Sequence, residues 1–400
     1  MNGIIDVMDY SLYIHIPFCK HRCNYCDFNT YAGMQDNIPA YITALIEEIR
    51  IVLCGKHCLA LHSVYFGGGT PSLIDLESYQ VLLSVIRQYA ELTEDCEISL
   101  ESNPGTLDQN YLLCLRRLGF NRISIGVQST NPFDLVRLER IHDIDDVLNG
   151  IRFARMAGFT NINLDMIFGL PWQSLSGWEN SIKRAIDLKP DHFSLYSLII
   201  EPGTLLNKWY QKGLVKLQDQ DLEGDMYETA MRLLDSAGYR HYEISNWARR
   251  DNTRDFRCRH NLQYWLNRPY LGLGAGAHGY AENIRTVNVN TIPRYIECLS
   301  NKTTRHTTFP VSPAAVSTED IDRTTQMKDF LMLGLRLVED GVSDTRFTSW
   351  YGISYKDVFD QEIQSLLDKG LLEWVGDAED QLRLTHRGVM VANQVFMAFV

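Results

Sequence analysis

The stretch YIHIPFCKHRCNYCDF, from Tyr13 to Phe28, carries three cysteines spaced CxxxCxxC directly behind an apolar, alternating run. The alternation predicts a β-strand, and Cys19, Cys23 and Cys26 fall in the loop that follows it. A structural zinc site needs four ligands, usually in two CxxC-type pairs, and no second pair lies nearby. Three thiolates on one loop instead suit a cubane iron–sulfur cluster in which one iron keeps an open coordination position.

The composition limits the classes of protein that this chain can belong to. Its 400 residues are 45% hydrophobic and 22% charged, which is typical of a globular protein with two or three domains. The net charge of −12 argues against nucleic-acid binding, because neutralising phosphates requires an excess of Lys and Arg. No apolar run is long enough for membrane insertion, and the first residues, with Asp6 and Asp9, do not form a basic leader. We therefore expect a cytoplasmic protein, in which nine reduced cysteines indicate metal binding or catalysis rather than disulfides.

Two textures alternate along the chain up to about residue 204. Longer segments with helical apolar spacing separate six short β-branched or aromatic runs, which are SLYIHIPF, SVYFGGG, EISLESN, RISIGVQ, NINLDMIFG and HFSLYSLII. Gly119 and Gly158 each follow a basic, Leu- and Ala-rich stretch, as glycines at helix C-termini do. Six βα units in series predict an α/β fold with a parallel sheet, in the form of a partial (β/α)6 barrel.

Polar or thiol groups follow every one of these predicted strands. In order, the strand ends supply Cys19, Cys23 and Cys26; Gly67 to Thr70; Glu101 and Asn103; Gln128; Asp165; and Glu201. Loops are polar in any case, so one such residue carries little weight. Six coincident strand ends favour a binding site, because ligands of parallel sheets bind outside the carboxyl ends of the strands.

The remaining sequence predicts two further regions. We expect the barrel to cover residues 1–215 and a connecting region to cover residues 216–310. Residues 311–400 are predicted to form a smaller α+β domain, since helices precede LLDKGLLEWVGDAEDQLRLTHRG, which reads as two short strands around an acidic turn. That order is winged-helix-like, and in an acidic chain a protein contact is favoured over DNA recognition.

The three-cysteine loop behind the first strand of a partial barrel resembles that of the radical S-adenosylmethionine (SAM) superfamily. The resemblance implies a 4Fe–4S cluster on Cys19, Cys23 and Cys26, whose open iron is chelated by the amino and carboxylate groups of SAM. It further implies that the SAM ammonium contacts Gly68, Gly69, Thr70 and Glu101, and that Arg140 pairs with the SAM carboxylate. Gln128 and Asp165 would bind the ribose hydroxyls. Tyr25 would pack on the adenine, and Tyr13 lies on the strand that leads into the site. For each residue alone, a rim salt bridge or a core tyrosine is an equal alternative.

Within this superfamily, the segments YIHIPFC, GGGTPS, ESNPGTLD, LGFNRISIGVQS and NINLDMIFGLP resemble the oxygen-independent coproporphyrinogen III oxidase family. Decarboxylating members have a further cysteine two residues after the third ligand, where this chain has Phe28. The chain also contains HNLQYW, with His260, Asn261, Tyr264 and Trp265, which matches the HNxxYW motif of the HemW-type haem chaperones. The resemblance therefore implies a haem-binding and haem-delivery protein. The alternatives are a coproporphyrinogen III oxidase and a radical enzyme acting on an unrelated small molecule.

The segment around HNLQYW contains groups that haem requires, namely an axial ligand, an apolar plane and cations for two propionates. Cys258 and His260 are candidate ligands, and a run of arginines follows Trp247. A solvated loop tethered to acidic neighbours is the simpler explanation, so the axial ligand is His260, Cys258 or neither, with His278 as a further candidate. By resemblance, the partners are apo-haemoproteins such as respiratory cytochromes and an electron donor such as a flavodoxin, and a homodimer is allowed.

Overall fold

A computed structural model of the chain describes residues 9–300, 307–376 and 380–400. The strands are β1 (Tyr10–Ile16), β2 (Phe18–Cys19), β3 (Tyr31–Ala32), β4 (Ala60–Gly68), β5 (Glu91–Ser102), β6 (Arg122–Gln128), β7 (Ile162–Phe168), β8 (His192–Ser197), β9 (Tyr239–Glu243), β10 (Asn246–Arg249), β11 (Tyr270–Leu273), β12 (His278–Ala281), β13 (Ile284–Asn288), β14 (Ala315–Asp320), β15 (Val342–Ser343), β16 (Leu372–Val375) and β17 (Gln381–Leu384).

The helices lie between these strands. They are α1 (Ile38–Cys54), α2 (Leu76–Tyr89), α3 (Gln109–Leu118), α4 (Pro132–Arg137), α5 (Ile144–Met156), α6 (Leu175–Asp187), α7 (Leu205–Gln211), α8 (Gln220–Ser236), α9 (Arg259–Trp265), α10 (Ile292–Ser300), α11 (Arg323–Gly334), α12 (Asp344–Tyr351), α13 (Tyr355–Val358), α14 (Asp360–Asp368), α15 (His386–Met390) and α16 (Ala392–Phe396). None of them, over the described ranges, combines the length and the apolar character needed to cross a membrane.

One large sheet organises the molecule. Its strand order is β14-β13-β12-β11-β1-β4-β5-β6-β7-β8-β10-β9. The strands from β11 to β8 in this order run parallel, and the outer strands on both sides are antiparallel. The six predicted strands are confirmed as β1, β4, β5, β6, β7 and β8. The sequence did not reveal the seventh parallel strand, β11, which pairs with β1 so that Tyr13 lies opposite Gly272.

The helix ends follow local chemistry that the sequence already carried. Asp108 accepts a hydrogen bond from the Tyr111 N–H and so caps the start of α3, while Gly119, at φ +113°, ends it. At α5, Asp143 and Asp146 form a reciprocal capping box. Gly158 has φ +89°, which confirms the second predicted terminating glycine.

Two large hydrophobic cores and two small clusters are present among the described residues. The larger one fills the space between the large sheet and the helices that cover it, with fully buried Leu12, Phe66 and Leu164 among its members. Such strands are apolar on both faces because helices cover a parallel sheet.

The smaller core begins at Met327 and continues to Phe399. Helix α11 precedes the three-stranded sheet β15-β17-β16, and helices α12 to α14 lie between β15 and β16, which agrees with the predicted α+β, winged-helix-like arrangement. The acidic turn predicted between the last two strands lies partly in residues 377–379, which are outside the described residues. Asp6, one of the acidic residues near the start of the sequence, is also outside them. The domain limits at residues 215 and 310 stay predictions.

Candidate functional site

A cavity of about 520 Å³ opens at the carboxyl ends of the parallel strands; we call it the rim cavity. The structure brings most of the predicted site residues to its wall, which are Tyr13, Cys19, Cys23, Tyr25, Cys26, Gly68, Gly69, Thr70, Glu101, Gln128, Arg140, Asp165, Cys258 and His260. The further candidate His278 does not line it. Its volume is in the range of small-molecule sites, roughly 300–1,000 Å³. The carboxyl ends of the predicted strands therefore surround a cavity, as the sequence predicted. The position of a residue in the cavity wall does not by itself assign that residue a role.

Backbone pairing anchors the three-cysteine loop, residues 19–30, at both of its ends. Strand β2 pairs in parallel with β3, so that Cys19 lies opposite Ala32. The Thr70 N–H donates to the Phe18 carbonyl at 2.8 Å, which attaches the start of the loop to the end of β4. These bonds hold the loop over the rim of the sheet.

Each of the three cysteines has a polar neighbour at its sulfur. Thr70 Oγ1 donates to Cys19 Sγ at 3.6 Å, and the Arg140 guanidinium donates to Cys23 Sγ at 3.5 Å. Cys26 Sγ lies 3.8 Å from Thr30 Oγ1. Burial raises the pKa of the Cys19 and Cys26 thiols. Hydrogen-bond donors at sulfur stabilise thiolates, so this loop suits three anionic ligands.

A single metal ion does not suit the same loop. Across residues 9–300, 307–376 and 380–400, no three His, Cys, Asp or Glu side chains converge closely enough to hold one ion. In a cubane cluster each thiolate binds a different iron, so the sulfurs stay apart. Three thiols on one loop are therefore compatible with the predicted cluster.

The glycines after β4 let backbone approach the cavity. Gly68 has φ +115°, and a Cβ there would lie 2.4 Å from the His15 ring. Its N–H donates to Glu101 Oε2 at 2.9 Å, and the Tyr65 hydroxyl donates to Oε1 at 2.9 Å. Only glycine fits this position, because φ is in the left-handed region and the imidazole occupies the space of a side chain.

Two buried carboxyl groups, those of Glu101 and Asp165, line the rim cavity. Burial, reinforced by the charge of Asp165, raises the pKa of Glu101 to about 7. Burial also raises the pKa of Asp165, whose oxygens accept hydrogen bonds from Ser124 Oγ at 2.7 Å and Asn163 Nδ2 at 2.8 Å. A bound cation near Glu101 would lower that pKa again. Gln128, at φ +65°, ends β6 in a strained conformation beside these groups.

Arg140 lines the rim cavity. Its guanidinium is buried, and it donates to the Gly126 carbonyl at 2.9 Å and to Asn103 Oδ1. Among the described residues its Nε has no hydrogen-bond partner. A buried, unpaired guanidinium nitrogen is costly. Tyr25 lies next to Arg140 and also packs against Leu138.

Helix α9 forms the deep end of the cavity, which we call the floor. His260 Nδ1 lies 2.9 Å from Ser63 Oγ, its Nε2 lies 2.9 Å from the Tyr264 hydroxyl, and its ring stacks on Tyr65 at a centroid distance of 4.9 Å. Burial lowers the pKa of His260 to about 3, so the imidazole is neutral. Both ring nitrogens are engaged, which gives this histidine a packing role in the observed conformation.

Cys258 is equally enclosed. Its thiol is 1% exposed and donates to Glu97 Oε1 at 3.5 Å, while burial raises its pKa to about 12. The thiol is therefore protonated at neutral pH. Iron binds the thiolate form of cysteine, so ligation by Cys258 would require the thiol to lose its proton and its hydrogen bond to Glu97.

Known protein families match the chain along its whole length. The family model of the radical SAM superfamily matches residues 13–185, and that of the HemN C-terminal domain matches residues 321–391. The chain is 38% identical over 391 residues to the haem chaperone HemW of Bacillus subtilis (strain 168), covering 98% of this chain and 99% of the relative. The chain belongs to the HemW family. The HemW of Escherichia coli (strain K12) is 33% identical over 392 residues, covering 98% of both chains.

A solved structure supports the fold of this HemW-family chain. The coproporphyrinogen III oxidase HemN from Escherichia coli, described as a radical SAM enzyme, superposes with a TM-score of 0.81 at 22% identity. The match covers 98% of this chain and 90% of that chain. At this identity the likeness concerns the fold, and it includes the C-terminal domain that the sequence analysis described only as winged-helix-like.

The arginines around the HNLQYW motif of this HemW-family chain mostly pair with acidic side chains. The pairs are Arg249 with Asp191, Arg250 with Asp235, Arg257 with Asp255 and Asp340, and Arg259 with Asp95. Arg254 donates to the Thr160 hydroxyl. The expectation that this basic run supplies cations for haem propionates is not supported. The simpler explanation, a loop tethered to acidic neighbours, describes the observed contacts.

Several residues of the rim cavity were missed by sequence reasoning. They are Tyr65, Arg122, Asn163, Ser194 and Tyr196. All lie within the predicted strands, where alternation sends every second side chain into the barrel. Polar residues at those inward positions were the signal that could have identified them, since a buried polar group needs a partner or a ligand.

Proposed function

We propose that this HemW-family chain binds haem and delivers it to apo-haemoproteins, with respiratory cytochromes as acceptors. The observation that carries the proposal is the 38% identity, over 98% of the chain, to a protein named as a haem chaperone. The HNLQYW motif at the floor and Phe28 in place of an additional cysteine support the same function.

The proposal includes a 4Fe–4S cluster held by Cys19, Cys23 and Cys26. The chemistry of the donor set fits, because three thiols with polar neighbours lie on one loop above the rim cavity. When bound, a reduced cluster supplies the electron that breaks a C–S bond of SAM. Loss of one cysteine should leave the cluster incompletely ligated, which anaerobic iron and sulfide analysis would detect.

SAM is the second proposed cofactor. In this proposal Glu101 accepts hydrogen bonds from the SAM ammonium beside the backbone of Gly68 and Gly69 and the Thr70 hydroxyl. Arg140, which lines the rim cavity, is assigned to the SAM carboxylate. The remaining assignments are Gln128 and Asp165 for the ribose hydroxyls, Tyr25 for the adenine, and Tyr13 for the adjoining wall.

His260 and Cys258 are the candidates for haem ligation at the floor. Either residue could bind iron only after its present hydrogen bonds break. Haemin titration of His260→Ala and Cys258→Ala tests this directly. A Soret band identical to that of the unaltered chain in both variants would remove both residues as ligands.

Haem transfer is the decisive test of the function. Haem-loaded chain is mixed with an apo-cytochrome b, the two are separated, and the haem absorbance of each is recorded. We expect holo-cytochrome to form faster than it does from free haemin at the same haem concentration. Transfer no faster than from free haemin would contradict the chaperone function.

The alternative function, coproporphyrinogen III oxidation, is tested by product analysis. Cluster-loaded chain is incubated anaerobically with reductant, SAM and coproporphyrinogen III. We expect no substrate-dependent protoporphyrinogen, because position 28 lacks the additional cysteine. Substantial conversion would favour the oxidase. We propose that the chain works in the cytosol, where thiol ligands stay reduced. The proposed electron donor is a flavodoxin-type protein.

A further inference from the structure

A second concavity lies on the outer side of the three-cysteine loop. It has a volume of about 510 Å³, and we call it the outer groove. One wall is the loop itself, with Arg22 and Phe28, and the other wall is the antiparallel extension of the sheet, with His278, Val287 and Val316. The rim cavity lies on the far side of the same loop, so the two sites share a wall.

His278 differs from the buried histidines of this chain. It begins β12, is exposed to solvent, and lies opposite Val287 in the β12–β13 ladder. Its imidazole makes no hydrogen bond within the described part of the chain, whereas both ring nitrogens of His260 are hydrogen-bonded. A free imidazole nitrogen at the edge of a groove is a ready ligand for a metal.

The groove pairs this histidine with apolar surface and a cation. Phe28 is 64% exposed and Val316 is 65% exposed, and both side chains line the groove with Val287. Large exposed apolar side chains around a concavity indicate a ligand or partner. Arg22 adds a positive charge on the loop side, while Asp27 is the single acidic residue that lines the groove.

Hydrogen bonds connect the groove to the rim cavity. Asn29 Nδ2 donates to the carbonyls of Ala275 and Asn290, each at 2.9 Å. The Asn29 carbonyl lies 2.9 Å from His15 Nε2, and His15 Nδ1 lies 2.9 Å from the Tyr13 hydroxyl. Asp27, Phe28 and Thr30 line both concavities. A ligand in the groove would thus press on the back of the loop that carries the three cysteines.

We propose that the outer groove is the haem site of this chain and that His278 is an axial ligand of the haem iron. Phe28, Val287 and Val316 contact the porphyrin plane, and Arg22 pairs with a propionate. Haem needs this combination of an imidazole, an apolar surface and a cation. The inference rests on the proposed function, since it locates the haem that the function requires.

Haemin titration of the full, cluster-reconstituted chain tests the site. His278→Ala should weaken haem binding at least tenfold and abolish the Soret maximum of the unaltered chain. His278→Cys should keep binding with a shifted Soret band, because thiolate replaces imidazole at the iron. The control is His57→Ala, an exposed histidine outside the groove, which should bind haem as the unaltered chain does. Circular dichroism of each variant verifies folding.

The outcomes separate this inference from the function. If the unaltered chain binds haem and His278→Ala binds it with the same affinity and spectrum, the groove assignment is wrong and the function stands. If only His260→Ala or Cys258→Ala changes the spectrum, haem binds at the floor instead. If the unaltered chain binds no haem, the proposed function fails, and the groove assignment fails with it.

Discussion

At the scale of single residues, the close contact between Gly68 and His15 shapes the rim cavity. Because Gly68 has no Cβ, its backbone can lie against the His15 ring. In this position its N–H donates a hydrogen bond to Glu101. Since His15 also bonds to the Tyr13 hydroxyl and the Asn29 carbonyl, it cannot move away without breaking both contacts. One glycine therefore links the strand end to the three-cysteine loop.

Replacing Gly68 by alanine should destabilise the chain. We expect a loss of about 2–4 kcal/mol in the free energy of unfolding, from backbone strain at positive φ and displacement of His15. Urea denaturation monitored by circular dichroism measures it. Gly203→Ala is the matched control, because Gly203 has φ +91° but no atom within 4 Å of the added Cβ, so only the strain of about 1 kcal/mol remains. Equal losses in the two variants would contradict a steric role for His15.

Glu101 should make stability depend on pH. Its pKa is raised from 4.5 to about 7 by burial, so the folded chain keeps a proton that the unfolded chain releases in this window. The free energy of unfolding therefore falls as the pH rises from about 4.5 through about 7. In cofactor-free protein, the decrease in the free energy of unfolding over this pH range should be about 1–3 kcal/mol smaller in Glu101→Gln than in the unaltered chain. This range is set below the full value of the pKa shift because solvent in the cavity screens the Glu101 charge.

Denaturation curves of cofactor-free protein between pH 5 and pH 8 would measure the effect of Glu101. The control is Glu91→Gln, an exposed carboxyl at the start of the same strand, which should leave the pH dependence of the unaltered chain in place. If Glu101→Gln showed the same dependence as the unaltered chain, the carboxyl would not carry this proton.

At the scale of elements, α9 closes the barrel from below. Its His260 satisfies Ser63 and Tyr264 and supports the ring of Tyr65, whose hydroxyl donates to Glu101. The HNLQYW motif thus reaches the proposed SAM residues through packing. This arrangement gives the motif a positioning role that does not depend on haem.

The His260→Ala variant tests that role. The Tyr264 hydroxyl loses its bond to His260, and the Ser63 hydroxyl keeps its bond to Ser11 Oγ but loses the one to His260. We therefore expect a loss of about 1–3 kcal/mol in stability and weaker SAM binding through displacement of Tyr65. Calorimetric SAM titration and urea denaturation measure the two effects. Arg259→Ala, in the same helix, removes an exposed ion pair with Asp95 and should cost less than about 1 kcal/mol without changing SAM affinity. Unchanged SAM affinity in His260→Ala would contradict the positioning role.

At the scale of the whole molecule, Arg336 contacts both the smaller core and helix α9. The Arg336 guanidinium lies over the Trp265 ring at 4.4 Å and over Phe396 at 5.2 Å. The backbone carbonyl of Arg336 accepts a hydrogen bond from the Ile244 N–H at 3.2 Å, and the Ile244 side chain packs against the smaller core. These contacts join the C-terminal domain to the helix that forms the floor.

Removing the Arg336 side chain should weaken the coupling between the two cores. We expect Arg336→Ala to cost about 1–2 kcal/mol and to split one thermal transition into two, with the smaller core melting first. Differential scanning calorimetry distinguishes the cases. Arg383→Ala, which removes a surface ion pair within the C-terminal sheet, is the control and should keep a single transition. A single transition in Arg336→Ala would mean that other contacts maintain the coupling.

The sequence by itself determined the features that local chemistry encodes. Alternating apolar residues and terminating glycines identified the six βα units, and the order of those units led to the rim where Cys19, Glu101 and Asp165 meet. This inference succeeds because carboxyl ends of parallel strands must share one edge. The HNLQYW and CxxxCxxC motifs, being short and contiguous, identified the family.

Only the tertiary structure decided which distant groups meet. Strand β11 has four residues, too few for a periodic signal, and it pairs with β1 across 259 positions of the chain, as between Ser11 and Tyr270. The same holds for the partners of the arginines, such as Asp191 for Arg249, and for His260 at the floor. The outer groove exists because the three-cysteine loop and His278 are brought together by long-range strand pairing. Local periodicity cannot specify such contacts, since they depend on the packing of the complete sheet.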